Sequence, residues 1–306
     1  MLKFLTIRIA ESLAALLAIS VLVFALTHVS GSPVDAMLPD DATPAQAEAL
    51  VQEWGLDRPL PVQYFTFLGN ALQGDLGQSL KWRGKSATEV VLDHLPATLW
   101  LGGVAILISV AVAIPLGVIA AMHKDSWTDG VVKMVALLGQ SLPPFWLGII
   151  LIWIFAVSLS WLPTSGRGGL AHLILPAIAM SWFQIAAFVR LTRSAMLDVL
   201  DAEYIKLARI KGLSERVVVW KHALRNAAIV PLTYFGVLAG SILTGSVVIE
   251  TVFAWPGIGW LAIEAIRGRD FPVVQTVVIV FAIVFIVANL LVDLLYAVVD
   301  PRIRRA

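Results

Sequence analysis

Six apolar runs, each close to the length that crosses a bilayer, leave this chain few ways to fold. They lie at about 9–29, 99–122, 135–162, 172–189, 229–249 and 273–299. A helix needs roughly 20 apolar residues to cross the hydrocarbon core. Lipid offers the backbone no hydrogen bonds, so such runs become helices that satisfy their own amides and carbonyls. Composition agrees: 14% of residues are charged, against roughly 25% in average soluble proteins. The expected fold class is an all-α polytopic membrane protein with six transmembrane helices.

The charges between the runs orient them. Lys3 and Arg8 precede the first run, whose length of about 20 apolar residues exceeds the roughly 7–15 of a signal peptide and indicates an uncleaved span. Residues 30–96 carry nine acids against four bases and are expected outside, with a short helix over 43–55 opened by Thr43 and Pro44. Residues 190–225 carry eight bases against four acids and are expected in the cytoplasm. The tail Asp300-Pro-Arg302-Ile-Arg304-Arg305 is basic and belongs inside with the N-terminus.

Several chemistries are excluded. The chain has no cysteine, which removes thiolate metal sites and cysteine nucleophiles. Its histidines, His28, His94, His123, His172 and His222, form no metal-ligand pair. A net charge of +1 implies no nucleic-acid partner. Residues 79–86, SLKWRGKS, fall one residue short of a P-loop, with Ser79 where the first glycine belongs. No strand before it and no phosphate-cradling helix after it is expected, so nucleotide binding is rejected there.

Within the runs, Glu11 and Asp293 are the only acidic, lysine or arginine residues, and both lie near ends, as do His28 and His172. Ion-driven transporters commonly keep carboxylates or histidines at mid-depth. An ion-coupled transporter and an intramembrane enzyme are both disfavoured by that lack. Pro115 lies in the second run, and Pro143 and Pro144 should kink the third. Gly236 and Gly240 allow close helix contact in the fifth. Residues 256–266 read as a short helix at the outer face, with Trp255 and Trp260 as interfacial anchors. Gln140, Ser141, Gln184, Thr233 and Ser241 are candidates for a wet pathway through the bundle.

Energy must then enter from outside the spans. The strongest handle is residues 198–226, DVLDAEYIKLARIKGLSERVVVWKHALRN, expected as a helix over 198–211, a break at Gly212, and a second helix over 215–226 capped by Ser214. The first helix shows no single apolar stripe: Tyr204, Leu207, Ala208 and Ile210 scatter round its axis. A helix of mixed apolar and basic faces suits a cleft in another protein better than lipid.

Glu203, Ala208, Gly212, His222-Ala-Leu-Arg-Asn226 and Pro231 resemble the EAA loop of ABC-importer permeases, with Glu203-Tyr-Ile where Glu-Ala-Ala is usual, as in the peptide branch. Further stretches resemble the permease family for peptides and nickel: Gly31-Ser-Pro33, Gly55-Leu-Asp-Arg-Pro59, Val62-Gln-Tyr64, Gly74-Asp-Leu-Gly77-Gln-Ser79, Leu95-Pro-Ala-Thr98, Trp255-Pro-Gly-Ile-Gly259, Arg269-Asp-Phe-Pro272, Asn289, Asp293 and Asp300-Pro-Arg302. The resemblance implies a type I ABC importer permease fold in a bacterial inner membrane. Its parts would be an N-terminal tail and first span (1–30), a mostly helical extracytoplasmic segment (31–96), a permease core (97–300) with coupling loop 198–226, and a cytoplasmic tail (301–306).

The resemblance further implies coupling to an ATPase through Glu203, Tyr204, Lys206, Ala208, Arg209, Gly212, Leu213, His222 and Arg225. The implied partners are a second related permease, two cytoplasmic ATPase subunits and an extracytoplasmic substrate-binding protein. No cofactor is implied in this chain, ATP and Mg residing on the ATPases. Short peptides are the implied cargo, with nickel complexes, glutathione or another small solute as alternatives.

Overall fold

A computed structural model describes the backbone of residues 2–29, 51–52, 55 and 57–299, and the side chains of 6–26, 51–52, 55, 57–232, 234 and 246–292. The expected helix over 43–55 and the basic tail lie largely or wholly outside the described residues, as do the side chains of Thr233, Ser241 and Asp293. Described residues are overwhelmingly helical, with one isolated bridge between Gln78 and Ser86. They divide into two compact units, residues 1–97 with 256–287, and residues 98–255 with 288–306.

In the first unit, α1 (Leu2–Val29) exposes Leu13, Leu17, Leu22 and Leu26, a surface suited to lipid. α2 (Leu60–Leu72) starts behind Pro59 and touches α1 through Tyr64, whose hydroxyl lies 2.9 Å from Ser20 Oγ and whose ring meets Phe24 edge-on. Ala87, Val90 and Val91, which open α3 (Ala87–Met122), pack on Ile258, Leu261 and Ala265 of α11 (Ile258–Arg267) and on Val273 and Val277 of α12 (Phe271–Val299).

The P-loop look-alike sits in this unit, and one expectation about it is corrected. A helix does follow it: α3 starts directly after Ser86, whose Oγ accepts the Glu89 N–H at 3.1 Å. The loop nonetheless cradles an anion of the chain itself. Asp270 Oδ2 accepts the Ser79 hydroxyl at 2.6 Å and the backbone N–H groups of Leu80 and Lys81 at 3.0 Å each. Its Oδ1 accepts from Val273 N–H at 3.3 Å, at the start of α12. Consecutive amides in a turn make an anion-binding concavity, and here a buried carboxylate fills it.

α3 is 36 residues long, against the 99–122 expected. The second unit holds its remainder together with α4 (Trp127–Ser141), α5 (Pro144–Leu151), α6 (Leu170–Leu200), α7 (Glu203–Ile210), α8 (Glu215–Val217), α9 (Leu224–Ala227) and α10 (Ile229–Val252). The third expected span is not one rod. Its helix starts early, at Trp127, stops at Ser141, and resumes at Pro144 at 102° to its first half before continuing as a wide turn over Ile152–Ser158. Pro143 adopts extended backbone and Pro144 starts the new helix, so the pair breaks the run outright instead of kinking it.

α6 is the most enclosed of the spanning helices and packs against α4, α5 and α10. Asp129 clamps α4 to it. The carboxylate is fully buried and accepts from Arg193 Nε at 2.6 Å and Arg193 Nη2 at 2.8 Å, while Lys133 Nζ stands 2.7 Å away. Close approach elsewhere needs small residues: a Cβ on Gly139 would come within 2.7 Å of Ala186 Cβ.

Four described helices are long and apolar enough to cross a membrane: Thr6–Leu26 of α1, α3, α6 and Phe271–Val292 of α12. The bent pair α4–α5 makes a fifth if it is one span. The remaining expected span corresponds to α10, a 24-residue helix half of whose side chains, including the Gly236–Gly240 face, lie outside the described residues.

Candidate coupling site

The charged loop differs from its expected layout in where its first helix begins. Asp198 to Leu200 belong to the end of α6, and the chain breaks at Asp201 and Ala202. The extended backbone of Ala202 lets its carbonyl accept from Ile205 N–H and Lys206 N–H, which starts α7. α7 ends in a paired cap. Gly212 N–H donates to Arg209 O at 3.0 Å and Leu213 N–H donates to Ala208 O at 3.4 Å, the bonding of a Schellman motif. That motif needs a left-handed residue, and Gly212 has φ +77°.

The second limb starts at Glu215 as expected, but Ser214 makes no side-chain cap; its carbonyl takes the Val217 and Val218 N–H groups instead. The limb then widens over Val218–Ala223 before α9.

Packing resolves the scattered apolar residues of α7 into two opposed faces. Ile205 and Ala208, three apart, turn inward onto Val118 and Ala121 of α3, Ala195 and Met196 of α6, and Val218, Val219 and Ala223 of the second limb. Leu207 and Ile210, also three apart, turn outward and are 53% and 81% exposed. Tyr204 lies on the flank, where its hydroxyl accepts from Asn226 Nδ2 at 2.9 Å. Leu213, Val217 and Trp220 extend the exposed apolar surface beyond the turn.

Polar ties hold the two limbs at a set angle. Arg209 reaches across the Gly212 turn with Nη2 2.7 Å and Nε 3.2 Å from the two carboxylate oxygens of Glu215. The hydrogen-bonded guanidinium holds the Glu215 carboxyl below the usual range and so keeps it ionised at neutral pH. Lys206 Nζ meets Glu203 Oε1 at 2.8 Å, and Glu203, well exposed, raises the lysine above its ordinary value. His222 is half-buried with its carbonyl accepting from Asn226, and Arg225 is exposed.

The site residues expected from sequence therefore gather on one element pair, but with divided tasks. Ala208 faces inward and Gly212 shapes the turn, leaving Glu203, Tyr204, Lys206 and Leu213 facing out and Arg209 spanning the limbs. Leu207, Ile210 and Trp220 share this exposed surface without having been singled out as coupling residues, and the i, i+3 spacing of Leu207 and Ile210 is the signal for two of them.

The pathway candidates separate too. Gln184 is buried and accepts from the Ser109 hydroxyl at 3.0 Å, so its amide knits α6 to α3. Gln140 Oε1 accepts from Arg190 Nη1 at 2.9 Å. Ser141 is exposed at the break between α4 and α5, its hydroxyl bonded to Leu137 O.

Comparison with known proteins decides what carries this loop. Residues 113–305 match the family model described as the binding-protein-dependent transport system inner membrane component, and residues 1–102 match its N-terminal companion. The chain belongs to this family. It is therefore an inner-membrane, multi-pass permease component of a binding-protein-dependent transport system, with the helical type I permease fold.

Relatives agree over their full length. The oligopeptide transport system permease protein of Bacillus subtilis is 38% identical, with 97% of each chain covered. The glutathione transport system permease protein of Pectobacterium atrosepticum is 40% identical and the di/tripeptide transport system permease protein of Pseudomonas aeruginosa 41%, each with 99% of both chains covered.

Proposed function

We propose that this permease forms, with a second related permease, the membrane pathway of an ATP-driven importer of short peptides. Two cytoplasmic ATPase subunits drive it through α7, and an extracytoplasmic binding protein delivers the cargo. Both termini lie in the cytoplasm. ATP and Mg bind on the partner ATPases, and this chain needs no cofactor and no ATPase site of its own.

The observation that carries the coupling role is the two-faced α7. Its inner face is locked into the helix bundle, while Leu207 and Ile210 stand bare beside exposed charged residues. Apolar anchors at helical spacing suit a groove in another protein, and exposed patches rimmed by polar residues mark interaction sites. A short helix fixed to α6 and α3 passes a push to the spans as a rigid-body movement. Ser141, exposed at the α4–α5 break, is the described residue best placed to meet water in the pathway, with Thr233 and Ser241 as further candidates. Peptide cargo is supported by the oligopeptide and di/tripeptide relatives. The glutathione relatives support a second reading, in which the cargo is that tripeptide.

The decisive test is uptake into proteoliposomes holding the co-purified complex and binding protein. Labelled tripeptide should accumulate only with ATP, and ionophores should leave it unchanged. Accumulation without nucleotide would sink the proposal, and competition by glutathione separates the two cargo readings.

Two substitutions test the coupling surface. Ile210→Asp should leave the fold intact, since the side chain is solvent-facing, yet cut ATP-dependent uptake at least about tenfold and release the ATPase on purification, because it puts a charge into an apolar contact. Co-purification at wild-type yield would argue against α7 as the contact. Gly212→Val should uncouple ATP hydrolysis from uptake. A Cβ there meets nothing within 4 Å, so the whole effect is the left-handed backbone, which costs an ordinary residue about 1–2 kcal/mol. Gly212→Asn, which tolerates that region, should transport nearly normally, and equal rates in the Val variant would remove the turn from the mechanism.

A further inference from the structure

Two adjoining cavities run along α6 on the side of α4. One, of about 130 Å³, is lined by apolar groups from Leu116 on α3, Val135 on α4 and Ile185 on α6, together with the Trp182 ring. The other, of about 360 Å³, is rimmed by Lys133, Gln140, Arg190, Arg193 and Ser194. Val132, Ala136, Ala186 and Val189 line both, so an apolar crevice opens into a basic-rimmed groove.

Three cations stand at that rim and two acids lie near it, Asp129 and Asp125, whose charge Arg193 also feels. Asp129 is shared by Arg193 and Lys133, which leaves a net positive rim. Arg190 meets only the neutral Gln140 amide, and no carboxylate pairs with it among the described residues. The outer surface of α4 beside the groove is apolar, with Met134, Leu137 and Leu138 exposed, which suits an acyl chain.

We propose that this groove holds an anionic phospholipid. Its phosphate lies against Arg190 and Lys133, and the start of an acyl chain occupies the crevice. Basic pockets between transmembrane helices commonly take anionic headgroups. The bound lipid would wedge α4 against α6, the helix that leads into α7. The inference does not depend on which solute is carried.

The test is native mass spectrometry of the intact complex, purified in mild detergent and titrated with phosphatidylglycerol, with phosphatidylcholine of the same chains, and with sn-glycerol 3-phosphate. Wild type should keep phosphatidylglycerol in preference to phosphatidylcholine, and sn-glycerol 3-phosphate should not displace it. Arg190→Gln should weaken retention about fivefold, the weight of one cationic side chain near an anionic lipid. Arg190→Lys should restore it.

Equal retention of both lipids would overturn the proposal, as would displacement by sn-glycerol 3-phosphate or an unchanged Arg190→Gln variant. The chain has no native cysteine, so Leu137→Cys gives it a single thiol at the groove's edge, whose labelling is read on this chain after the subunits are separated. Labelling of that cysteine by a membrane-soluble maleimide that slows as phosphatidylglycerol is added supports lipid. Full protection by the second permease, indifferent to lipid, would also overturn it.

Discussion

Asp129→Ala is expected to destabilise the permease by about 3 kcal/mol, the lower end of the range for removing one partner of a buried ion pair. The carboxylate is wholly enclosed and holds Arg193 by two short bonds and Lys133 by a third contact. Truncation strands the Arg193 guanidinium, which is only 17% exposed, beside apolar helix. It also removes a negative charge from the first turn of α4, where the helix dipole favours one.

The lower end applies because Lys133 is half-exposed and turns to water. The midpoint of thermal unfolding in mild detergent reads the effect, at roughly 2–4 °C per kcal/mol for larger domains. Adding Arg193→Met to Asp129→Ala should recover much of the loss, since an apolar side chain needs no counter-charge. An Asp129→Ala protein that melts with wild type would show that the clamp contributes nothing.

Asp270→Ala should cost a comparable amount, about 3 kcal/mol, by a different route. Asp270 is the acceptor for the Ser79 hydroxyl, for the Leu80 and Lys81 amides and for Val273 N–H. Removing it leaves donors of a partly buried loop unsatisfied, at about 1–3 kcal/mol each where water cannot replace the carboxylate. The Lys81–Glu264 pair, 2.7 Å apart, is a further polar link between that loop and α11, and at its exposure it contributes at most about 1 kcal/mol.

Asp270→Asn separates charge from shape. Its single amide oxygen can face the three donors, but its NH₂ group then confronts the Val273 N–H, so recovery should be partial. Limited proteolysis within residues 79–86 gives the readout: faster cleavage in Ala than in Asn, and slowest in wild type. Identical cleavage of all three would mean that the loop holds its shape without the carboxylate.

Much of this permease was legible before any fold was known. The spans could be read because hydropathy and helix-forming tendency are properties of short windows. The Gly212 turn could be read because a basic helix ending before a glycine announces its own cap. The coupling loop could be assigned by resemblance because its residues lie within one stretch of chain.

The two faces of α7 were only half legible. Periodicity shows where apolar side chains point, but not which of two opposed faces the bundle covers. Hydropathy also concealed Asp129, which lies between the second and third apolar runs and proves to be enclosed by a helix that arrives 64 residues later.

What the sequence by itself determined is therefore the apolar runs that become helices, the charged loop that turns at Gly212, and the lack of mid-span acidic or basic groups within those runs. Tertiary structure alone decided that Pro143 and Pro144 turn a span through 102°, that Gln184 bonds inward to Ser109, and that a P-loop look-alike cradles Asp270 from 191 residues away. The division is physical. Local grammar is written in neighbours, whereas a buried charge is tolerated only where distant segments return to surround it with donors.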